Sequence, residues 1–236
     1  MRIKALLCAA GILAACAATS MAQNVYSLNT VGYQVVVPAA NQLICIANPV
    51  TNTSTPNTLV NILSTNPPLA SQVFKWDYPN SKFLILTRSP FAPFWSSPDV
   101  NHPIAGVTLN VGEGFFIKSP SSFTNVFVGD VLQSQVYAPG PLTNALPSGL
   151  WLTGNLVPDS GSVTNIGLNI PLGSPPNSLL KWNVGLQQYD IYVKTPFGTT
   201  WSGPGGTTVP PSIGVGEGFF TKLSAPYNWV RDFTVQ

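Results

Sequence analysis

The sequence predicts an all-β fold made of two tandem homologous modules, each a small β-barrel or β-sandwich with one short helical turn. Three observations carry this. The chain holds 23 prolines and 20 glycines beside 11% aromatic residues, a mixture that favours short strands and turns over long helices. Runs such as 31–37 and 43–47 are dense in β-branched and apolar residues and stop at turn-forming ones. Above all, the chain repeats itself.

The repeat is explicit. Lys75-Trp76-Asp77 returns as Lys181-Trp182-Asn183, Phe83 as Tyr189 and Trp95 as Trp201. Val111-Gly112-Glu113-Gly114-Phe115-Phe116 returns as Val215-Gly216-Glu217-Gly218-Phe219-Phe220, and Lys118 as Lys222. Upstream, 43–50 (LICIANPV) aligns with 150–157 (LWLTGNLV). The spacing tightens by two residues between the second tryptophan and the glutamate of each copy, so a loop deletion is expected there. The modules are placed at 23–132 and 133–236, with a seam near 136–143 where Pro139-Gly140-Pro141 breaks structure.

Taken in chain order, residues 1–22 read as an export signal. Arg2 and Lys4 precede the uncharged apolar run 5–18, and Ser20-Met21-Ala22 offers a cleavage site before Gln23. Leu13-Ala14-Ala15-Cys16 also fits a lipobox, which would make Cys16 a lipidated N-terminus. Secretion and lipid anchoring both stay open, and both take the chain out of the cytoplasm. The apolar run is too short for a permanent transmembrane helix.

In module one, strands are expected at 31–37, 43–47, 73–77, 82–87, 114–118 and 125–132. A capped helical turn follows Asn57-Thr58, and 78–81 forms a hairpin loop. Module two repeats the pattern at 179–183, 187–194, 218–223 and 229–235. Cys45 stands in the apolar run of the second strand and reads as a buried thiol.

The order of these motifs, with Asn24 to Ser27 and Gly32-Tyr33 ahead of them, resembles a family of exported bacterial two-module β-repeat proteins carrying K-W-D and G-E-G-F-F motifs. A looser similarity is to β-modules of cell-surface proteins. The resemblance implies the fold and an extracellular location; it implies no activity. Module two departs from it at Asn183 and in Trp229 to Thr234, which weakens any strict role for Asp77 or Asp130.

Composition excludes several functions. Charged residues are only 8% of the chain, and without Arg2 and Lys4 the two signs balance. Such a surface lacks the positive field that gathers nucleic acid or anionic lipid. Asn, Ser and Thr, 60 of the 236 residues, wet it instead, which suits neutral partners such as glycans or further copies of the chain.

Catalytic chemistry is thinly supplied. His102, the single histidine, sits in a proline-flanked loop, and neither zinc-ligand spacing nor an acidic calcium loop is present. No cofactor is expected. Glu113 and Glu217 are the only glutamates and occupy one repeated place. The structural motifs Gly112-Glu113-Gly114 and Gly216-Glu217-Gly218 are read as turns into strands, with each carboxylate accepting from nearby backbone or from Lys75 and Lys181; metal or catalytic use is the alternative.

Trp76 and Trp182 are read as alternating with Phe74 and Leu180 across the strand faces, so that at least one of each pair faces the core. Trp95 and Trp201 follow loop-like stretches and are the candidate ligand-binding residues; their alternative is to plug the core. The expected function is a non-catalytic extracellular or cell-surface protein for binding or assembly. A glycan-binding module is the alternative, and a secreted hydrolase the rival from another class.

Overall fold

The computed structural model describes residues 30–37, 39–52, 55–92, 94–97, 103–134, 140–195 and 201–234. The export segment, Cys16 and His102 lie outside the described residues.

Among the described residues, sixteen strands form two sets, seven in the first module and nine in the second, which holds one further two-stranded pair. In the first, β1 (Thr30–Val37), β2 (Leu43–Ala47), β3 (Gln72–Asp77), β4 (Lys82–Arg88), β5 (Trp95–Ser96), β6 (Gly114–Lys118) and β7 (Phe123–Asp130) follow in order. An α-helix, α1 (Leu59–Leu63), lies between β2 and β3. The second set is β8 (Leu142–Leu146), β9 (Gly149–Thr153), β10 (Gly161–Ser162), β11 (Ser178–Asn183), β12 (Gln188–Lys194), β13 (Trp201–Ser202), β14 (Ser212–Ile213), β15 (Phe219–Leu223) and β16 (Tyr227–Arg231).

Each set makes one five-stranded antiparallel sheet, in the order β2-β6-β3-β4-β5 and β9-β15-β11-β12-β13. Each adds a two-stranded ribbon, β1-β7 and β8-β16. The orders correspond strand for strand, so the repeat read in the sequence is a repeat of the fold. Among the described residues no sheet closes into a barrel.

Period-two alternation gives each sheet two apolar faces. One face of the first sheet (Ile44, Ile46, Val73, Leu84, Leu86, Phe115, Ile117) packs against Phe127 of the ribbon, Leu59 and Leu63 of α1, and Trp95. In the second sheet, Leu179 and Phe219 pack with Trp229 and Leu146 of the ribbon and with Trp201. The other faces meet each other. Cys45, Phe116, Leu152 and Phe220 are buried between the sheets, ringed by half-buried Trp76, Phe83, Trp182 and Tyr189. The molecule is therefore four layers deep: ribbon, sheet, sheet, ribbon.

This packing corrects the reading of the Lys-Trp strands. Phe74 and Trp76 are two residues apart and share a face, as Leu180 and Trp182 do, and that face looks at the other module. The Trp76 indole N–H donates to the Leu150 carbonyl at 3.0 Å, and the Trp182 indole N–H donates to the Leu43 carbonyl at 2.7 Å. Leu43 and Leu150 occupy the same place in their modules. The rings repeat the exchange: Trp76 stands edge-on to Phe83 of its own sheet and Phe220 of the other, Trp182 to Tyr189 and Phe116. The junction thus has an approximate two-fold axis.

Several elements differ from expectation, among them the unexpected two-residue strands β5, β10, β13 and β14. The strand β8 starts at the end of the stretch expected to be a seam and runs beyond it, where no strand was expected. Its sequence, Leu-Thr-Asn-Ala-Leu, has modest strand propensity, and pairing with β16 along its whole length makes it a strand. The helical turn is α-helical only in module one. Thr58 caps α1 by accepting from the Asn61 N–H, whereas 163–167 of module two form turns ending at Gly167 with φ +72°.

Candidate functional site

The two Gly-Glu-Gly segments meet the opposite module at the junction, and the residues around them are the candidate site. Lys75 leaves β3 on the face opposite Trp76 and forms an ion pair with Glu113; its ammonium also donates to the Thr108 carbonyl at 2.8 Å. The other oxygen of Glu113 accepts from the Asn110 backbone N–H at 3.0 Å. Module two copies this: Lys181 lies 3.2 Å from Glu217 and donates to the Ser212 carbonyl, and Glu217 accepts from the Gly214 N–H at 2.7 Å. Both carboxylates are about four-fifths shielded from solvent. At Lys75 burial favours the neutral amine while the carboxylate favours the ammonium. Burial is the larger effect and pulls the amine down to about 8.

The glycines make the expected turns into strands, with the Glu113 N–H donating to the Asn110 carbonyl at 3.0 Å and the Glu217 N–H to the Gly214 carbonyl at 3.2 Å, and they also serve the junction. Gly112 and Gly216 have φ of +74° and +65°, and their carbonyls accept from Gly154 and Ala47 of the other module, each at 2.8 Å. A Cβ on Gly114 would lie 2.8 Å from the Thr153 carbonyl oxygen, and one on Gly218 2.6 Å from that of Ile46. Strand backbone from the opposite module crosses where these side chains would stand. Glu113 bridges Thr153, and Glu217 bridges Ile46, through their backbones.

These contacts set an expected mutational result. Glu113→Gln removes the charge that Lys75 pairs with and should lower unfolding stability by about 1–3 kcal/mol, the range for hydrogen bonds involving charged groups. The looser pair at Glu217 should lose less in Glu217→Gln. Urea denaturation of both variants checks this; equal, negligible losses would show that neither pair holds the junction.

Trp95 and Trp201, expected from the sequence as the residues to stack on a ligand, are not exposed platforms. Each sits on a two-residue edge strand and is only 1% exposed. The Trp95 indole donates to the Ser64 carbonyl at 3.0 Å, and the Lys194 ammonium lies 5.0 Å from the Trp201 ring centre. Neither ring offers a face to a ligand, because both fill the space between sheet and ribbon. Cys45 is 7% exposed, and burial pushes its thiol well above the ordinary range, so it is held protonated.

The residues that do line open space combine the marked Lys75, Gly112 and Glu113 with several that the sequence left unmarked, such as Asn110 and Asn144. A cavity of about 260 Å³ is bordered by Lys75, Asn110, Gly112 and Glu113 from module one and by Asn144 and Trp151 from module two. A neighbouring cavity of about 230 Å³ shares Lys75, Glu113 and Trp151 and extends to Trp76, Asp77 and Tyr78. Trp151 is half-buried and stands edge-on to Tyr78, 4.9 Å between centres. Only the alignment of 150–157 with 43–50 touched Trp151; nothing in one sequence shows that it would face the other module's lysine.

No family model, curated protein or solved structure matches this chain. Among the described residues no helix is long and apolar enough to cross a membrane. By its architecture the chain is an all-β protein of two homologous modules joined across an approximate two-fold axis.

Proposed function

We propose that this chain is a non-catalytic exported protein, extracellular or at the cell surface, whose modules act as one binding or assembly unit. The observation that carries the reading is the commitment of both repeated glutamates. Each is tied to a lysine and a backbone N–H beside a strand of the opposite module, an arrangement that builds a junction. Both oxygens of each glutamate are engaged in this way, which supports a structural role for them. The low charge and the Asn, Ser and Thr content support a working place among neutral partners.

Incubating the purified protein with chromogenic glycosides, esters and peptides should give no turnover above buffer. Turnover that disappears in Glu113→Gln would overturn the reading in favour of a secreted hydrolase. Export is tested on protein recovered from a bacterial host: an N-terminus at Gln23 marks secretion, a lipidated Cys16 marks an anchor, and an unprocessed Met1 refutes both.

A further inference from the structure

We infer that the groove at the module junction, between Lys75–Glu113 and Trp151, binds a single neutral sugar ring. The inference rests on the non-catalytic binding reading above and names the ligand class. Four features of the groove point to it.

The first is its wall. Trp151 packs in part against the module-two core, keeps part of its surface open to both cavities, and its indole N–H donates to no group among the described residues. Tyr78 packs edge-on against it and donates its hydroxyl proton to the Ser148 carbonyl at 2.5 Å, which fixes the aromatic pair. The electron-rich face of an indole attracts the weakly positive C–H groups on the flat side of a pyranose.

The second is the mixture of polar groups. The Asn144 amide donates to the Thr153 hydroxyl at 3.0 Å, and its oxygen accepts from no described group. The Asn110 amide donates to the Thr108 hydroxyl at 3.1 Å, and its side-chain oxygen is likewise without a described donor. The indole N–H and the two amide oxygens together offer a donor and acceptors along one groove, beside an ion pair whose own groups are already engaged. Adjacent hydroxyls, each both donor and acceptor, match that pattern.

Charge is the third. Lys75 and Glu113 cancel, and Asp77 at the outer end stands opposite Lys82 in the β3–β4 register, so the two signs balance. Among the described residues neither an unpaired cation nor an unpaired carboxylate stands at the inner end to hold a charged ligand. Size is the fourth: the inner cavity, about 260 Å³, is below the roughly 300–1,000 Å³ of pockets that enclose drug-sized molecules, so that part of the groove takes one ring.

The repeat supplies an internal control. At the corresponding positions of the other half, Trp151 is Ile44, Tyr78 is Val184 and Asn110 is Gly214. Val184 there packs against the first module's core. The aromatic wall and the Asn110 amide are missing on that side, so among the described residues the second copy of the groove lacks these features.

The test uses the whole exported chain and the methyl glycosides of glucose, galactose, mannose, xylose and N-acetylglucosamine. A ligand this small binds in the millimolar range. At least one glycoside should show saturation transfer from protein to its ring protons. It should also shift the Trp151 indole N–H resonance, identified by its loss in Trp151→Phe, while those of Trp95 and Trp201 stay in place. Trp151→Ile copies the residue of the other module and should abolish the transfer while the chain stays folded, read from the remaining indole resonances. Asn144→Ala should weaken binding about fivefold to tenfold. No transfer from any of the five glycosides at about 100 mM, or transfer that persists in Trp151→Ile, overturns the site and leaves the non-catalytic reading standing. Release of free sugar from a glycoside would instead overturn that reading.

Discussion

Gly154→Ala is expected to destabilise the molecule more than any other addition of one methyl group at the junction. A Cβ on residue 154 would lie 2.2 Å from the Cβ of Ala47 and 3.2 Å from the Glu217 carbonyl oxygen. Ala47 and Gly154 hold the same place in their modules and meet at the approximate two-fold axis, where the space admits one methyl group and not two. Their N–H groups are also the donors to Gly216 and Gly112, so neither strand can retreat without losing a hydrogen bond. Overpacking of this kind costs about 1–3 kcal/mol, and more where backbone must move. The paired change Ala47→Gly with Gly154→Ala moves the methyl to the other side of the axis and should recover most of the loss. Urea denaturation of the two single variants and the double variant gives the coupling directly. A harmless Gly154→Ala, or a double variant no better than the single, would mean that the modules do not meet this way.

Trp95→Ala and Trp201→Ala should each cost about 3–5 kcal/mol, the range for deleting a large buried aromatic side chain. Both rings are almost fully enclosed, and Trp95 also loses its donation to the Ser64 carbonyl at the end of α1. The accompanying fall in melting temperature is on the order of 10 °C. The two losses should be similar, because each ring fills the same gap beside its sheet. A melting temperature unchanged in either variant would place that indole outside the core and restore it as a ligand platform.

Some of these elements were legible in the chain residue by residue. Strands such as Leu43–Ala47 and Gly114–Lys118 were readable because a strand packed on both faces is a continuous apolar run between turn formers. The equivalence of Trp76 with Trp182, and of Glu113 with Glu217, was readable because a repeat aligns with itself. The lysine partners of the glutamates were readable too, since two lone acids and two lysines recur together.

The strand β8 was not legible, because short polar residues take their conformation from the partner strand. The face of Trp76 was not legible either: a strand packed on both sides shows no alternation to say which apolar side chain belongs to which core.

Propensity, turn chemistry and repetition are written along the chain. They are enough to make it all-β, to make it two copies of one module, and to say which residues recur in equivalent places. Other properties exist only once two nearly identical sheets have stacked. Trp95 and Trp201 are enclosed, the glycines beside each glutamate admit the other module's backbone, and Trp151 faces Lys75 across a groove. Docking energy is set by surfaces far apart in sequence, and a single methyl group at the axis, Ala47 against Gly154, matters there as much as any motif.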